Sequence, residues 1–207
     1  MSAHQDETDA PSRPATGRRD RKKMATRIAI EDAAVGLYAT RGFKETSVLD
    51  ITEAADVSQR TFYRYFTSKE DVLFGSWRQD LAVTVKVIES RPQDESPLEA
   101  MRGALLAMAE HFEQNRERYS FIAQLSASSP DVAAYQGQVI IPAVVEAFAE
   151  GLARRLGVEA LADLRPYVFA GVAAAAVNAA MVVWVAESGT ELLENVLLDA
   201  LDLLSAP

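Results

Sequence analysis

A chain of 207 residues with 49% hydrophobic side chains can build one sizeable core, or a small domain joined to a medium one. The absence of cysteine and the presence of only two histidines, His4 and His111, exclude disulfides, thiolate metal sites, cysteine nucleophiles and a histidine-rich zinc cluster, so neither metal nor cofactor is expected. The net charge of −9 is unevenly spread: residues 11–70 hold twelve Lys/Arg against eight Asp/Glu, whereas residues 71–207 hold nine against nineteen. A basic segment on an acidic remainder fits a nucleic-acid-binding module attached to an assembly module, and it also fits a solvated acidic surface beside a chance excess.

Residues 1–20 carry prolines and charges with no apolar run, so they read as a disordered polar tail and not a secretory signal, and the chain is expected in the cytoplasm. From about Arg21 a helix is predicted, with Ile30, Ala33, Ala34, Leu37 and Tyr38 on one face and Gly42 as its left-handed stop. Thr46 and Ser47 offer N-cap oxygens to a short helix with Val48, Ile51, Ala54 and Ala55, which Asp56 ends. A third short helix holds Val57, Phe62 and Phe66. Ser68 then caps a long fourth helix whose Leu73, Trp77, Leu81, Val85 and Ile88 run to Arg91-Pro92.

Ser96-Pro97-Leu98-Glu99 has capping-box spacing, and Met101, Leu105, Met108 and Phe112 continue the next stripe. Further helices are predicted over about 116–127 and 130–156, the latter kinked or split by Pro142 and closed by Gly157. The last two run over about 163–187 and 190–205, separated by Ser188-Gly189. With no alternating pattern and no repeat, the fold class is all-α, about nine helices.

Residues 167–186 are twenty without a charge, long enough to span a membrane. Many of them are alanine, Asn178 sits mid-segment, and no Lys/Arg cluster flanks it, so a buried helix is expected and no membrane partner. Its small-residue rows, Ala170-Ala174-Asn178 and Gly171-Ala175-Ala179, permit close helix approach. Together with Leu193, Val196, Leu197, Ala200, Leu201 and Leu204 of the following helix, they point to a homodimer through residues 163–205.

The most informative stretch is residues 46–72, TSVLDITEAADVSQRTFYRYFTSKEDV. It reads as two short helices joined by a tight turn, the second polar and aromatic on one side. With Val57, Phe62 and Phe66 turned inward, Gln59, Arg60, Thr61, Tyr63 and Arg64 point outward. Arg can bridge guanine O6 and N7, Gln can pair with adenine, and Tyr or Thr hydroxyls can reach phosphates. An ordinary surface helix of a bundle is the plain alternative.

Arg41-Gly42-Phe43, Thr46-Ser47, Ile51, Ala54-Ala55, Val57-Ser58, Thr61-Phe62-Tyr63, Tyr65-Phe66 and Ser68-Lys69-Glu70-Asp71 stand in the order and spacing of one known domain. Over about residues 24–84 the chain resembles the helix-turn-helix domain of the TetR family of transcriptional regulators. Asp56 stands where glycine is usual at the turn, a position Asp tolerates because it visits the left-handed region more readily than most residues.

The resemblance implies a DNA-binding domain over residues 21–84 with its motif at 47–66, and a ligand-sensing and dimerisation domain over 85–207. It implies DNA contacts from Thr46, Ser47, Ser58, Gln59, Arg60, Thr61, Tyr63, Arg64 and Tyr65, with Lys69 clamping a phosphate. Double-stranded operator DNA and a small apolar effector are the implied partners, the effector moving the fourth helix and spreading the two recognition helices. Trp77, Met101, Met108, Phe112, Phe121, Phe148 and Trp184 are the candidate pocket lining, with His111 and Asn178 as orienting polar groups. Ordinary core packing is the alternative for each.

The basic run Arg13, Arg18, Arg19, Arg21, Lys22 and Lys23 is a candidate minor-groove arm or a solvated tail. Neither a base-orienter pair around His111 nor a glycine-rich phosphate loop is visible, so an enzyme is not expected. A ligand-independent regulator of the same fold stays open.

Overall fold

The computed structural model describes residues 16–75, 77–187 and 191–203. The chain divides into two compact units between Val72 and Leu73, earlier than the boundary expected after residue 84. The earlier expectations for Arg13, Ser188, Gly189 and Leu204 lie outside the described residues.

In the first unit, α1 (Thr16–Arg41) begins five residues inside the expected tail, so residues 16–20 are helical. Its Ile30, Ala34 and Tyr38 are buried, and Gly42 at φ 90° stops the helix while its N–H donates to the Tyr38 carbonyl. The α2 helix (Val48–Ala54) is capped by Ser47 alone. The Ser47 hydroxyl accepts from the Asp50 N–H and the Asp50 carboxylate accepts from the Ser47 N–H, a complete capping box. A short α3 (Gln59–Tyr63) follows, capped by Ser58. Ile51, Phe62, Phe66, Phe43 and Val72 close the core with the α1 stripe.

The expected long fourth helix is two helices, α4 (Lys69–Phe74) and α5 (Trp77–Ser90). Gly75 adopts φ 60°, a left-handed conformation that ends α4 although the hydrophobic spacing continues through it. Periodicity reports which face is buried and is blind to a one-residue reversal of the backbone.

The second unit contains α5, α6 (Pro97–Gln114), α7 (Arg116–Ser128), α8 (Pro130–Tyr135), α9 (Ile141–Leu156), α10 (Leu164–Ala186) and α11 (Leu193–Asp202). Ser96 and Glu99 form the expected capping box. Between α8 and α9 the helix continues as a π-helical turn over Gln136–Ile140, where the Ile141 N–H donates to the Gln136 carbonyl. Pro142 has no N–H to offer the preceding turn, and the chain absorbs this by widening rather than by splitting. Counted as continuous rods, the described residues form ten helices, one more than expected because of the break at Gly75.

Val85, Ile88, Met101, Leu105, Phe148, Leu152, Trp184 and Leu197 anchor a single core with the alanine stripe Ala170, Ala173, Ala176 and Ala180. Two stretches, Pro130–Leu156 and Leu164–Ala186, have the length and composition of a membrane span. Only one face of α10 is buried in the single chain. Val168, Ala175, Asn178, Ala179, Val182 and Val183 are exposed, so the all-round burial expected of this helix is not met within one chain and was expected from a second copy.

The α11 helix starts at Leu192 without a capping side chain of its own. Glu113 on α6 supplies it, its carboxylate accepting from the Leu193 N–H at 2.5 Å and pairing with Arg116 at 2.7 Å. The Arg116 guanidinium lies 5.2 Å over the Trp184 ring, whose indole N–H donates to the Glu191 carbonyl at 3.0 Å. Glu113→Ala is expected to destabilise the second unit by about 1–3 kcal/mol, the cost of a lost cap and an unpaired backbone donor. Urea unfolding indistinguishable from the wild type would show that the α11 terminus needs no partner.

Candidate nucleic-acid interface

The turn between α2 and α3 places Asp56 at φ 51°, the left-handed region where glycine is usual. The Asp56 and Val57 N–H groups donate to the Glu53 and Thr52 carbonyls, closing the turn with the strain confined to one residue. Ser58 then caps α3: its hydroxyl accepts from the Thr61 N–H at 3.1 Å and lies 3.0 Å from the Thr61 hydroxyl. Phe62 points fully inward, with Phe66 5.8 Å away in the same core.

Because Phe62 sets the rotation of this short helix, Gln59, Arg60, Tyr63 and Arg64 are left exposed on one side, Tyr63 at 57%. The Tyr63 ring packs edge-on against Phe62 at 5.3 Å, which holds it upright. Arg64 lies over the half-buried Tyr65 ring at 5.0 Å. These are donors and acceptors suited to base edges and phosphates, on a rod narrow enough for a major groove. Val57 is half-buried rather than inside the core.

Three neighbours expected at the interface have partners within the fold. Thr46 is buried, its hydroxyl donating to the Gly42 carbonyl at 2.8 Å, so its side chain braces the loop. Ser47 is exposed, but its hydroxyl is shared with Asp50, whose carboxyl is held below its ordinary range by the Ser47 hydrogen bonds. Lys69 does not reach outward. Its ammonium donates to the carbonyls of Phe43 at 2.9 Å, Thr46 at 3.0 Å and Lys44 at 3.4 Å, and sits 4.4 Å from the Phe43 ring. The Tyr38 hydroxyl donates to the Lys69 carbonyl at 2.7 Å, and burial pushes this phenol up from its ordinary value. Lys69 therefore ties α4 to the α1–α2 loop.

The profile of bacterial regulatory proteins of the tetR family matches residues 30–74, and that of the MftR C-terminal domain matches residues 95–207, more than half of the chain. The transcriptional regulator MftR of Mycobacterium tuberculosis is 30% identical over 144 residues, which cover 70% of this chain and 72% of MftR. This chain belongs to the TetR family.

A second relative of this TetR-family chain, the HTH-type transcriptional regulator TcmR of Streptomyces glaucescens, is 39% identical over 106 residues, 49% of this chain. The match spans about half of TcmR, 47% of its length. Among solved structures, the TetR-family repressor FadR of Thermus thermophilus in complex with lauroyl-CoA superposes with a TM-score of 0.55 at 26% identity, covering 86% of this chain and 93% of FadR.

In the second unit of this TetR-family chain the nine candidate pocket residues separate into groups. Met101, Phe148 and Trp184 are fully buried in the core, and Met108 and Phe112 pack half-buried against it. Trp77 and Phe121 are half-buried outside that cluster. Asn178 projects from the exposed face of α10, so the orienting contact expected of it does not arise within one chain. His111 is also largely exposed, its imidazole 3.6 Å from the Asp80 carboxylate. Two open recesses, of about 340 Å³ beside Leu81, Val85 and Arg154 and about 450 Å³ beside Arg91, Glu99 and Arg102, take in none of the nine.

Sequence reasoning missed the partners of His111. The Tyr119 hydroxyl donates to Asp80 at 3.2 Å, and its ring stacks on Phe112 at 3.9 Å. Burial and then the Asp80 charge push the Tyr119 phenol up. Asp80 and Tyr119 lie on α5 and α7, and no local spacing links them. Among the described residues no three metal-ligating side chains cluster.

Proposed function

We propose that this chain is a transcriptional repressor that binds a palindromic operator as a homodimer and is released by a small effector with an apolar tail. The exposed row Gln59, Arg60, Tyr63 and Arg64, held outward by the buried Phe62, carries the reading. Residues 21–84, the first unit together with the start of α5, read DNA, and residues 85–207 sense and dimerise. The protein works in the cytoplasm and performs no catalysis.

The second copy covers the apolar exposed face of α10, Val168, Ala175, Ala179, Val182 and Val183, which is otherwise left in water. The effector enters between α6 and α7, where Met108, Phe112 and Tyr119 lie beside the filled core. The TetR-family FadR in complex with lauroyl-CoA, at 26% identity over most of this chain, favours an acyl-type ligand. Ligand and DNA oppose each other by preferring different conformations, with a coupling of ~1–3 kcal/mol.

Selection from a random duplex library at near-physiological salt tests the reading. An enriched inverted repeat, its half-sites about 34–36 Å apart or a multiple of it and occupied by two copies, is the expected result. Lauroyl-CoA then serves as the first effector probe. No enriched sequence would refute the operator, and an operator affinity unmoved by acyl-CoA thioesters and other apolar ligands would favour a ligand-independent regulator.

A further inference from the structure

The first half of α1 is a rod without a core. Gly17 through Ala25 are all exposed, and the first buried residue of the helix is Ile30. On this rod Arg18 and Lys22 form one i,i+4 pair, Arg19 and Lys23 form the adjoining one, and Arg21 flanks them, with Asp20 as the sole acid from Thr16 to Ala29. Each of these five cations is exposed, and none has an ion-pair partner among the described residues. Like charges four apart oppose the helix that carries them, and a short helix that packs on nothing is marginal in water. The five cations thus present an unneutralised positive surface whose self-repulsion a polyanion would relieve.

Its position relative to α3 is set within the same unit. The Arg27 guanidinium lies 5.0 Å over the Phe66 ring, just past the end of α3, and is tied to Glu31 at 2.9 Å. Lys23 and Arg18 stand four and nine residues before Arg27, about 6 and 14 Å farther along the helix axis. The charge therefore begins beside the helix that presents Arg60 and Tyr63 and extends away from it over about 8 Å, the axial length of two to three successive phosphates on one strand at ~3.4 Å each.

We propose that residues 17–25 form a helical arm that lies along the phosphates flanking the half-site read by α3, supplying affinity that is independent of base sequence and sensitive to salt. The inference rests on the operator-binding reading but fails separately from it. Arg18, Arg19, Arg21, Lys22 and Lys23 position the protein on the duplex, while Gln59, Arg60 and Tyr63 choose the sequence.

The test uses the full chain and a variant with all five cations changed to Gln, which keeps helix propensity, on two probes: the selected operator in a 40-base-pair duplex and a mixed-sequence duplex of equal length. Each phosphate contact contributes ~0.9 to the slope of log affinity against log salt, so the expected fall is at least two contacts per protomer, about 1.8, on both probes. The ratio of operator to mixed-sequence affinity should stay within about threefold, and Arg18→Lys, Arg19→Lys, Arg21→Lys should keep the wild-type slope. A smaller fall in slope on both duplexes overturns the arm even if an operator is bound. A full fall on the mixed-sequence duplex when no operator can be selected leaves the arm standing and refutes the operator. Loss of binding to phosphatidylserine–phosphatidylcholine vesicles, with duplex slopes unchanged, would make the arm a membrane-surface element and overturn its assignment to DNA.

Discussion

Arg60→Ala and Tyr63→Ala are each expected to weaken operator binding by about thirtyfold to above 10⁴-fold. A good contact at a half-site is worth ~1–3 kcal/mol, and a symmetric dimer loses it twice, giving ~2–6 kcal/mol. Both side chains are exposed on the rod that Phe62 orients, so Arg60→Ala should leave folding unaffected, and Tyr63→Ala gives up only an edge-on contact with Phe62. The two variants should differ in kind. If Arg60 reads a base edge, its loss relaxes the preferred sequence at one position and leaves affinity for mixed-sequence duplex almost unchanged. If Tyr63 donates to a phosphate, its loss lowers affinity for both duplexes alike. Quantitative binding to the two duplexes separates these outcomes, and operator affinity within twofold of wild type for both variants would remove α3 from the interface.

Lys69→Met is expected to cost about 2–3 kcal/mol of stability, the scale of charge-assisted hydrogen bonds lost together with a cation–π contact. Three carbonyls from the α1–α2 loop converge on this ammonium, and methionine takes it from all three, leaving the Phe43 carbonyl only the Thr46 N–H. Lys69→Arg should recover only part of the loss, because a planar fork does not match three convergent oxygens. Denaturant unfolding reads the effect as a lower midpoint with an unchanged slope. A protein of wild-type stability whose salt slope on DNA fell by ~0.9 per protomer would instead restore Lys69 to the phosphate-clamping role expected from the sequence.

The difference over Lys69 and Thr46 shows what a one-dimensional motif conveys. Both residues belong to the family pattern, and the pattern alone does not say whether a polar residue is kept for the ligand or for the frame that holds the ligand's contacts. Thr46 turns inward because its hydroxyl has a carbonyl four residues back, and Lys69 because a loop some two dozen residues earlier closes over it. Capping was more legible: Ser47, Ser68 and Ser96 each act within three residues, so spacing alone locates them. Asp56 was legible for the same reason, its left-handed backbone being a property of one residue and its immediate turn.

Gly75 was not legible, since a stripe of Leu73, Trp77 and Leu81 reads the same whether or not the backbone reverses between them. The start of the basic run was assigned to a tail ending at residue 20 because it buries nothing, yet Arg18 and Arg19 are helical as a continuation of α1. In the second unit, Asp80, His111 and Tyr119 come together from three helices, and contacts between residues so far apart in sequence leave no periodic trace.

The dependence of α11 on Glu113 bears on how the C-terminal pair of helices can be exchanged between proteins. A graft whose junction falls after α9 carries α10 and α11 but leaves behind the carboxylate that receives the Leu193 N–H and the guanidinium that covers Trp184. The two helices are therefore not a transferable cassette. A chimera that is to keep this helix pair folded must bring the end of α6 and the start of α7 with it, or find a new cap for α11 in its host.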